Sequence, residues 1–254
     1  MKFEGAYDIL HGIPFLDARR ARILYDFILR EKPSECLELG FAHGVSSCYI
    51  AAALQELGRG HLTSVDILSS IDREPNLEDL LARTGLASYV TLVREHTSYN
   101  WFLKKRIEEL LRAGKSLPTY DFCFIDGAKN WTIDGFAFVL VDKLLREGGW
   151  ILFDDYDWTY GATGRGATDG INHLELGPDE LNEPHIEAVV RLLVAQHPEY
   201  AEVRIEDGVW AYAHKVRSSH RTFVVDQSYT YKALILRILR ATLRKVGLTG
   251  LEGV

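Results

Sequence analysis

Two periodicities of apolar and polar positions alternate along residues 35–155. Short runs rich in Val, Ile and Phe fall at 35–41, 61–67, 89–95, 120–126 and 149–154, and the intervals between them repeat apolar residues at helical spacing. Strands separated by helix-length intervals predict βαβ units and a parallel sheet. Phe122-Cys123-Phe124-Ile125 and Trp150-Ile151-Leu152-Phe153 are unbroken apolar runs. Strands covered on both faces read this way, so these two are expected at the centre of the sheet. The pattern then changes: residues 201–205 and 209–213 are separated only by Glu206-Asp207-Gly208. Three residues are too few for a parallel crossover and predict an antiparallel hairpin. Glu202, Arg204 and Glu206 alternate with Val203 and Ile205, giving the first hairpin strand one wet face and suiting it to a sheet edge.

Outside this block, residues 17–30 form a helical stretch with Leu24, Phe27 and Ile28 on one side, expected to pack over the sheet or line a substrate mouth. Residues 156–183 are rich in Gly and polar residues, including Gly161, Gly164, Gly166 and Gly170. A connection of that length in a compact domain is expected to act as a substrate lid. Near the C-terminus, Ile235, Ile238, Leu239, Leu243 and Val246 recur at helical spacing opposite Arg237, Arg240 and Arg244, which predicts a basic amphipathic helix. The expected organisation is an N-terminal substrate-side segment (1–32), a ligand-binding α/β domain (33–216) and the basic helix (217–254).

Charge sharpens this division. The net charge is −7, which does not favour nucleic acid as a partner. Residues 215–245 nevertheless hold eight Lys or Arg against Asp226 alone, whereas residues 1–214 carry −13. The basic helix is therefore read as an accessory helix docked on the body or on a second subunit of a homodimer, or as a peripheral contact with a membrane surface. No apolar run approaches the ~20 residues of a spanning helix. The three cysteines, Cys36, Cys48 and Cys123, fall in core segments and the start Met-Lys-Phe-Glu-Gly carries no apolar signal core, so a cytoplasmic location is expected.

The chemistry concentrates at strand ends. The first strand leads into Glu38-Leu39-Gly40-Phe41-Ala42-His43-Gly44-Val45-Ser46, an acid and two glycines at a strand-to-helix turn, where backbone N–H groups are offered to a ligand. The second strand ends at Asp66, placed to accept the hydroxyls of a ribose. A nicotinamide dinucleotide would use the same acid, but its triple-glycine turn is interrupted here by Ala42. The fourth strand ends Asp126-Gly127-Ala128-Lys129 and the fifth Asp154-Asp155. Three carboxylates at neighbouring strand ends repel unless neutralised, and an oxygen-only ligand set suits Mg²⁺. His11, His43 and His173 are candidate bases, and Trp101, Trp131, Trp158 and Tyr160 could wall a ring-shaped acceptor.

Through Glu38-Leu39-Gly40-x-x-x-Gly44, Asp66 and the closing hairpin, residues 33–216 resemble the class I S-adenosylmethionine-dependent methyltransferases. The resemblance implies a Rossmann-like α/β sheet of order 3-2-1-4-5-7-6, its last strand antiparallel, with helices on both faces. It places S-adenosylmethionine against Glu38, Gly40, Phe41, Gly44, Ser46, Asp66 and Asp126, with His96 and Thr97 beside the adenine. Asp126-x-x-Lys129 and Asp154-Asp155 resemble the metal-dependent O-methyltransferases of the catechol type, whose second pair is Asp-Asn. The Asp-Asp form is closer to the macrocin-type sugar O-methyltransferases. The resemblance then implies Mg²⁺ held by Asp126, Asp154 and Asp155, Asp126 and Lys129 as catalytic residues, and a small-molecule hydroxyl acceptor that is sugar-containing or polyol-like. A metal-dependent hydroxylase-like relative and a nucleoside-binding scaffold without turnover are the alternative classes. The hydroxylase reading lacks the two-histidine facial triad of a redox iron site.

Overall fold

The computed structural model describes residues 1–163, 175–216, 224–228 and 230–245. The chain divides into two compact units, Met1–Gly127 with Leu140–Gly149, and Ala128–Val139 with Trp150–Val254. Residues 164–174, the middle of the expected lid with Gly164, Gly166, Gly170 and His173, lie outside the described residues, as do residues 217–223.

The first unit opens with α1 (Phe3–Leu10) and α2 (Ala18–Glu31), followed by β1 (Glu35–Leu39), α3 (Val45–Leu57), β2 (His61–Ile67), α4 (Leu77–Thr84), β3 (Val90–Glu95), α5 (Tyr99–Arg112) and β4 (Tyr120–Ile125). Helix α2 starts where Asp17 accepts a hydrogen bond from the Arg20 amide at 2.9 Å, satisfying one of the orphan amides of its first turn. Its expected apolar side is buried: Leu24, Phe27 and Ile28 are enclosed, and the Phe27 ring lies 5.5 Å from that of Phe122 on β4. The helix therefore packs over the sheet. Helix α3 is buried from Val45 through Leu54, which explains why its run Tyr49-Ile50-Ala51-Ala52-Ala53-Leu54 has no polar stripe. The strands pair in parallel in the order β3-β2-β1-β4, with Leu37 opposite Thr63 and Cys123.

Helix α6 (Trp131–Leu144) and strand β5 (Leu145–Phe153) are divided between the units. The second unit continues with α7 (Pro178–Asn182), α8 (His185–Val189), β6 (Tyr200–Glu206), β7 (Trp210–Lys215), β8 (Val224–Ser228) and α9 (Tyr231–Lys245). Strand β7 runs antiparallel to both β5 and β6, which is the hairpin expected from the three-residue spacing. The full order is 3-2-1-4-5-7-6, with β8 added beyond β6.

Three expectations need correction. Strand β6 is not an edge, because β8 pairs with it in parallel from Glu202↔Val224 to Glu206↔Ser228. Its wet face concerns side chains, while its backbone groups are satisfied by β8. Strand β5 begins at Leu145, four residues before the expected start, since Gly148 and Gly149 fit inside the strand rather than before it. A Cβ on Gly149 would stand 2.9 Å from the Asp121 carbonyl oxygen. Strand β1 is shorter than expected, because Gly40 takes φ +92° immediately after Leu39 and ends the extended run, and β4 ends one residue early at Ile125.

One carboxylate fastens the near ends of β1, β4 and β5. Asp121 on β4 accepts from the amides of Ser34 and Glu35 at 2.9 and 3.0 Å and from Arg146 at 2.7 Å. Burial alone would raise its pKa, but Arg146 and the two amides outweigh burial and hold it below the ordinary 3.8. Its contribution is therefore present above pH 3.8 and is lost as pH falls through the depressed value. Asp121→Asn is expected to cost about 1 kcal/mol near neutrality. Urea denaturation at several pH values should show this gap closing in acid; a gap independent of pH would contradict the assignment.

Candidate active site

The turn between β1 and α3 is shaped by three left-handed positions. Gly40, Ala42 and Gly44 have φ of +92°, +48° and +94°. The two glycines are also required by close approach. A Cβ on Gly40 would lie 2.4 Å from the Gly127 Cα, and one on Gly44 2.4 Å from a methyl carbon of Leu77. Gly127 is itself crowded by the Tyr99 ring. The glycines thus allow the chain to approach itself.

Asp66, at the end of β2, holds this turn. Its Oδ2 accepts from the amides of Phe41 and Ala42 at 2.9 and 2.8 Å, and its Oδ1 from the Ile67 amide at 2.7 Å. The carboxylate read as a ribose acceptor therefore also fixes the loop on which a nucleoside would rest, and Oδ1, with a single donor, retains a lone pair for a ligand hydroxyl. Phe41 is buried, and the Arg94 guanidinium of β3 stands 5.6 Å from its ring centre. Arg94 is anchored by Glu78 through two charged hydrogen bonds and by the Ser70 hydroxyl at 2.9 Å. The sequence reading missed Arg94, because an isolated arginine in a strand carries no motif.

Glu38 is fully buried. The hydroxyls of Ser47 and Ser64 donate to its Oε2, leaving Oε1 buried without a hydrogen-bond partner among the described residues. Burial raises its pKa above 4.5, against the opposing pull of the Ser46, Ser47 and Ser64 hydroxyls. An orphaned buried carboxylate oxygen at the base of a glycine turn suits a ligand cation or N–H group, so the residues present fit the amino acid part of S-adenosylmethionine. His43 is mostly buried, donates from Nδ1 to the Pro75 carbonyl at 2.7 Å and stacks on Phe15. His11 is exposed and contacts its own helix. His96 and Thr97 are exposed at the bend between β3 and α5, and Asp126 follows β4, its amide donating to the Leu39 carbonyl at 2.8 Å.

In the second unit the side chains of Lys129, Asp154 and Asp155 meet. The Lys129 Nζ donates to Asp154 Oδ2 at 3.1 Å and lies 3.5 Å from Asp155 Oδ2. Lys129 and Asp155 both have left-handed backbones, at φ +57° and +54°, conformations that cost free energy and are kept where the surroundings impose them. The other Asp154 oxygen accepts from the indole N–H of buried Trp210 at 2.6 Å. Trp210 opens β7, whose register sets Ala211 opposite Phe153, directly before Asp154. The sequence reading left Trp210 unremarked, since its relation to Asp154 depends on antiparallel pairing.

The surroundings of Lys129 are tightly tied. Asn130 caps α6 by accepting from the amides of Thr132 and Ile133, and its own amide donates to Asp134. The Trp131 amide donates to His185 Nδ1 at 3.1 Å, which makes Nε2 the protonated nitrogen, and Nε2 donates to the Glu180 carbonyl at 2.7 Å. The Tyr160 hydroxyl donates to the Ala128 carbonyl at 2.8 Å, and the ring of Trp158 packs edge-on against that of Tyr160. Trp101 and Trp131 are substantially exposed.

Two outcomes test this geometry. Glu38→Gln should become more stable relative to the parent as pH rises above 4.5, because ionising a carboxyl whose folded pKa is raised costs stability; a difference constant with pH would contradict the burial of its charge. Trp210→Phe removes a hydrogen bond to a charged group and should cost about 1.5–3 kcal/mol in thermal or chemical unfolding, whereas an unchanged midpoint would mean the bond contributes nothing.

Comparison with known proteins agrees with this reading. A family profile described as a methyltransferase domain matches residues 37–156. No curated protein matches the chain. Among solved structures, the O-methyltransferase TomG of Streptomyces achromogenes, involved in tomaymycin synthesis and in complex with S-adenosylmethionine, is 18% identical with a TM-score of 0.57, over 85% of this chain and 89% of its own. An O-methyltransferase of Bacillus cereus in complex with S-adenosylhomocysteine is 17% identical at the same TM-score, over 85% and 92%. The methyltransferase PaMTH1 of Podospora anserina, bound to S-adenosylhomocysteine, is 16% identical with a TM-score of 0.57, over 84% and 87%. Residues 37–156 thus match the methyltransferase domain family, and the chain has the sheet order and fold of the class I methyltransferases.

Proposed function

We propose that this protein transfers a methyl group from S-adenosylmethionine to a hydroxyl oxygen of a small molecule, of sugar-containing or polyol-like character, with Mg²⁺ assisting. The observation that carries the reading is the pair Asp154 and Asp155, whose carboxylates share one cation position, held here by the Lys129 ammonium. Two oxygen ligands converging on one positive charge fit a hard divalent ion. Asp126 is assigned as the third carboxylate by the sequence reading alone. Two of the similar structures are O-methyltransferases, one of them involved in tomaymycin synthesis, which supports an oxygen acceptor.

In this reading Glu38, Gly40, Phe41, Gly44, Ser46 and Asp66 receive the methyl donor, with His96 and Thr97 at its adenine. Asp66 binds the ribose while keeping the turn in shape, and the orphaned Glu38 oxygen faces the donor's charged end. The acceptor oxygen attacks the methyl carbon in line as the carbon–sulfur bond breaks, so orientation supplies most of the acceleration. Lys129, released from its carboxylate partners and present as the neutral amine, accepts the proton that leaves the acceptor hydroxyl, and Trp210 fixes Asp154. When bound, Mg²⁺ would neutralise the carboxylates and lower the pKa of the acceptor hydroxyl. Residues 33–216 form the transfer domain, with 1–32 on the substrate side and 217–254 appended. The three cysteines are buried thiols, in keeping with work in a reducing cytoplasm.

Acceptors can be screened by mass spectrometry for the gain of one methylene from S-adenosylmethionine. With an acceptor in hand, Asp154→Asn should lower kcat by about a hundredfold and abolish stimulation by Mg²⁺ while leaving donor affinity unchanged by calorimetry. Asp66→Ala should weaken donor binding by about 1.5–3 kcal/mol. Undiminished, Mg²⁺-stimulated turnover by the Asn variant would remove the proposed cation site, and full donor affinity in the Ala variant would remove the ribose role.

A further inference from the structure

Helix α9 turns its apolar side outward. Leu234, Ile235, Leu236, Ile238 and Leu239 are all exposed, Ile238 to 58% and Leu239 to 52%. Among the positions of α9 whose side chains are described, Ala233 and Arg237, one turn apart, are half-buried. Arg237 lies close enough to the Tyr156 phenol for its charge to act there, so the Arg237 side of α9 is turned toward its own unit. On a helical projection residues 234, 235, 238, 239 and 242 fill one arc, with 236 and 243 at its border, and Arg237, Arg240 and Arg244 fall opposite. Exposed Lys232 stands at the edge of the apolar arc.

Charge selects the occupant of this strip. Residues 227–251 hold Lys232, Arg237, Arg240, Arg244 and Lys245 and no acid. Two copies of α9 apposed along the strip would bring two segments of +5 together with no carboxylate on either to offset them. A surface both negative and penetrable by aliphatic side chains meets both properties at once, and an anionic lipid bilayer is such a surface. The helix has 15 residues, and no helix among the described residues is long and apolar enough to cross a membrane. The fit is to a helix lying in the interface plane.

We propose that α9 docks this protein on anionic membrane surfaces, with Leu234, Ile235, Ile238 and Leu239 entering the boundary between headgroups and acyl chains, Lys232 at the edge of the strip meeting the lipid charge, and the net positive charge of the segment drawing it to the surface. The proposal does not depend on methyl transfer and is read without it. The full-length chain is to be co-sedimented with phosphatidylcholine vesicles, with and without one third phosphatidylserine. Binding is expected only where phosphatidylserine is present, and should fall about tenfold in high salt. Ile235→Asp combined with Ile238→Asp should reduce it by a similar factor or more while leaving the circular dichroism spectrum and thermal midpoint unchanged, since both positions are exposed. Lys232→Glu should weaken binding with the apolar strip intact. Absence of sedimentation with the anionic vesicles, or equal binding by the double variant, would overturn the proposal. A mass that doubles with concentration in light scattering, and returns to that of a monomer in the double variant, would assign the strip to a second copy and also overturn it.

Discussion

Five strands of this protein carry an acid at or just beyond their carboxyl ends: Glu38 on β1, Asp66 on β2, Glu95 on β3, Asp126 after β4 and Asp154 after β5. Carboxylates leaving water at the ends of packed strands must be neutralised or hydrogen-bonded, or they destabilise the fold. Different partners meet that requirement. Hydroxyls serve Glu38, backbone amides serve Asp66, Lys105 serves Glu95, and an ammonium and an indole N–H serve Asp154. The conformation of the glycine turn, the left-handed backbones at Lys129 and Asp155 and the position of Trp210 all follow from these pairings.

The pairings divide into closed and open ones. Asp66 is largely committed to the turn and Asp121 to the opposite strand ends, so both contribute to stability whether or not a ligand is bound. Glu38 keeps one buried oxygen without a hydrogen-bond partner among the described residues, and Asp154 and Asp155 converge on a side-chain cation. Buried groups left incompletely satisfied, and cations that another could replace, are where ligand binding returns free energy that folding left aside. The methyl donor and a divalent ion are assigned to these positions for that reason.

Much of this organisation was legible in the sequence because its causes are local or periodic. Strand β2 fell at 61–67 as read, the helix over residues 17–30 needed one residue of adjustment, and the Glu206-Asp207-Gly208 spacing forced a hairpin. Strand β8 escaped because Val224-Val225 is too short an apolar run to announce a strand, and its pairing with β6 depends on a distant neighbour. The acids were found because they sit at strand ends. Their partners were not, since the bonds from Trp210 to Asp154 and from the Phe41 and Ala42 amides to Asp66 exist only once strands are in register. Arg94 beside Phe41 belongs to the same group.

The most direct test is a crystal structure of the chain soaked with S-adenosylhomocysteine and Mn²⁺, the metal located by its anomalous signal. The account predicts the ribose hydroxyls on Asp66, the homocysteine amino group at Glu38 Oε1, and Mn²⁺ at Asp154 and Asp155 with Lys129 displaced. A nucleoside bound away from the glycine turn, or a metal site that leaves the Lys129 ion pairs in place, would contradict it.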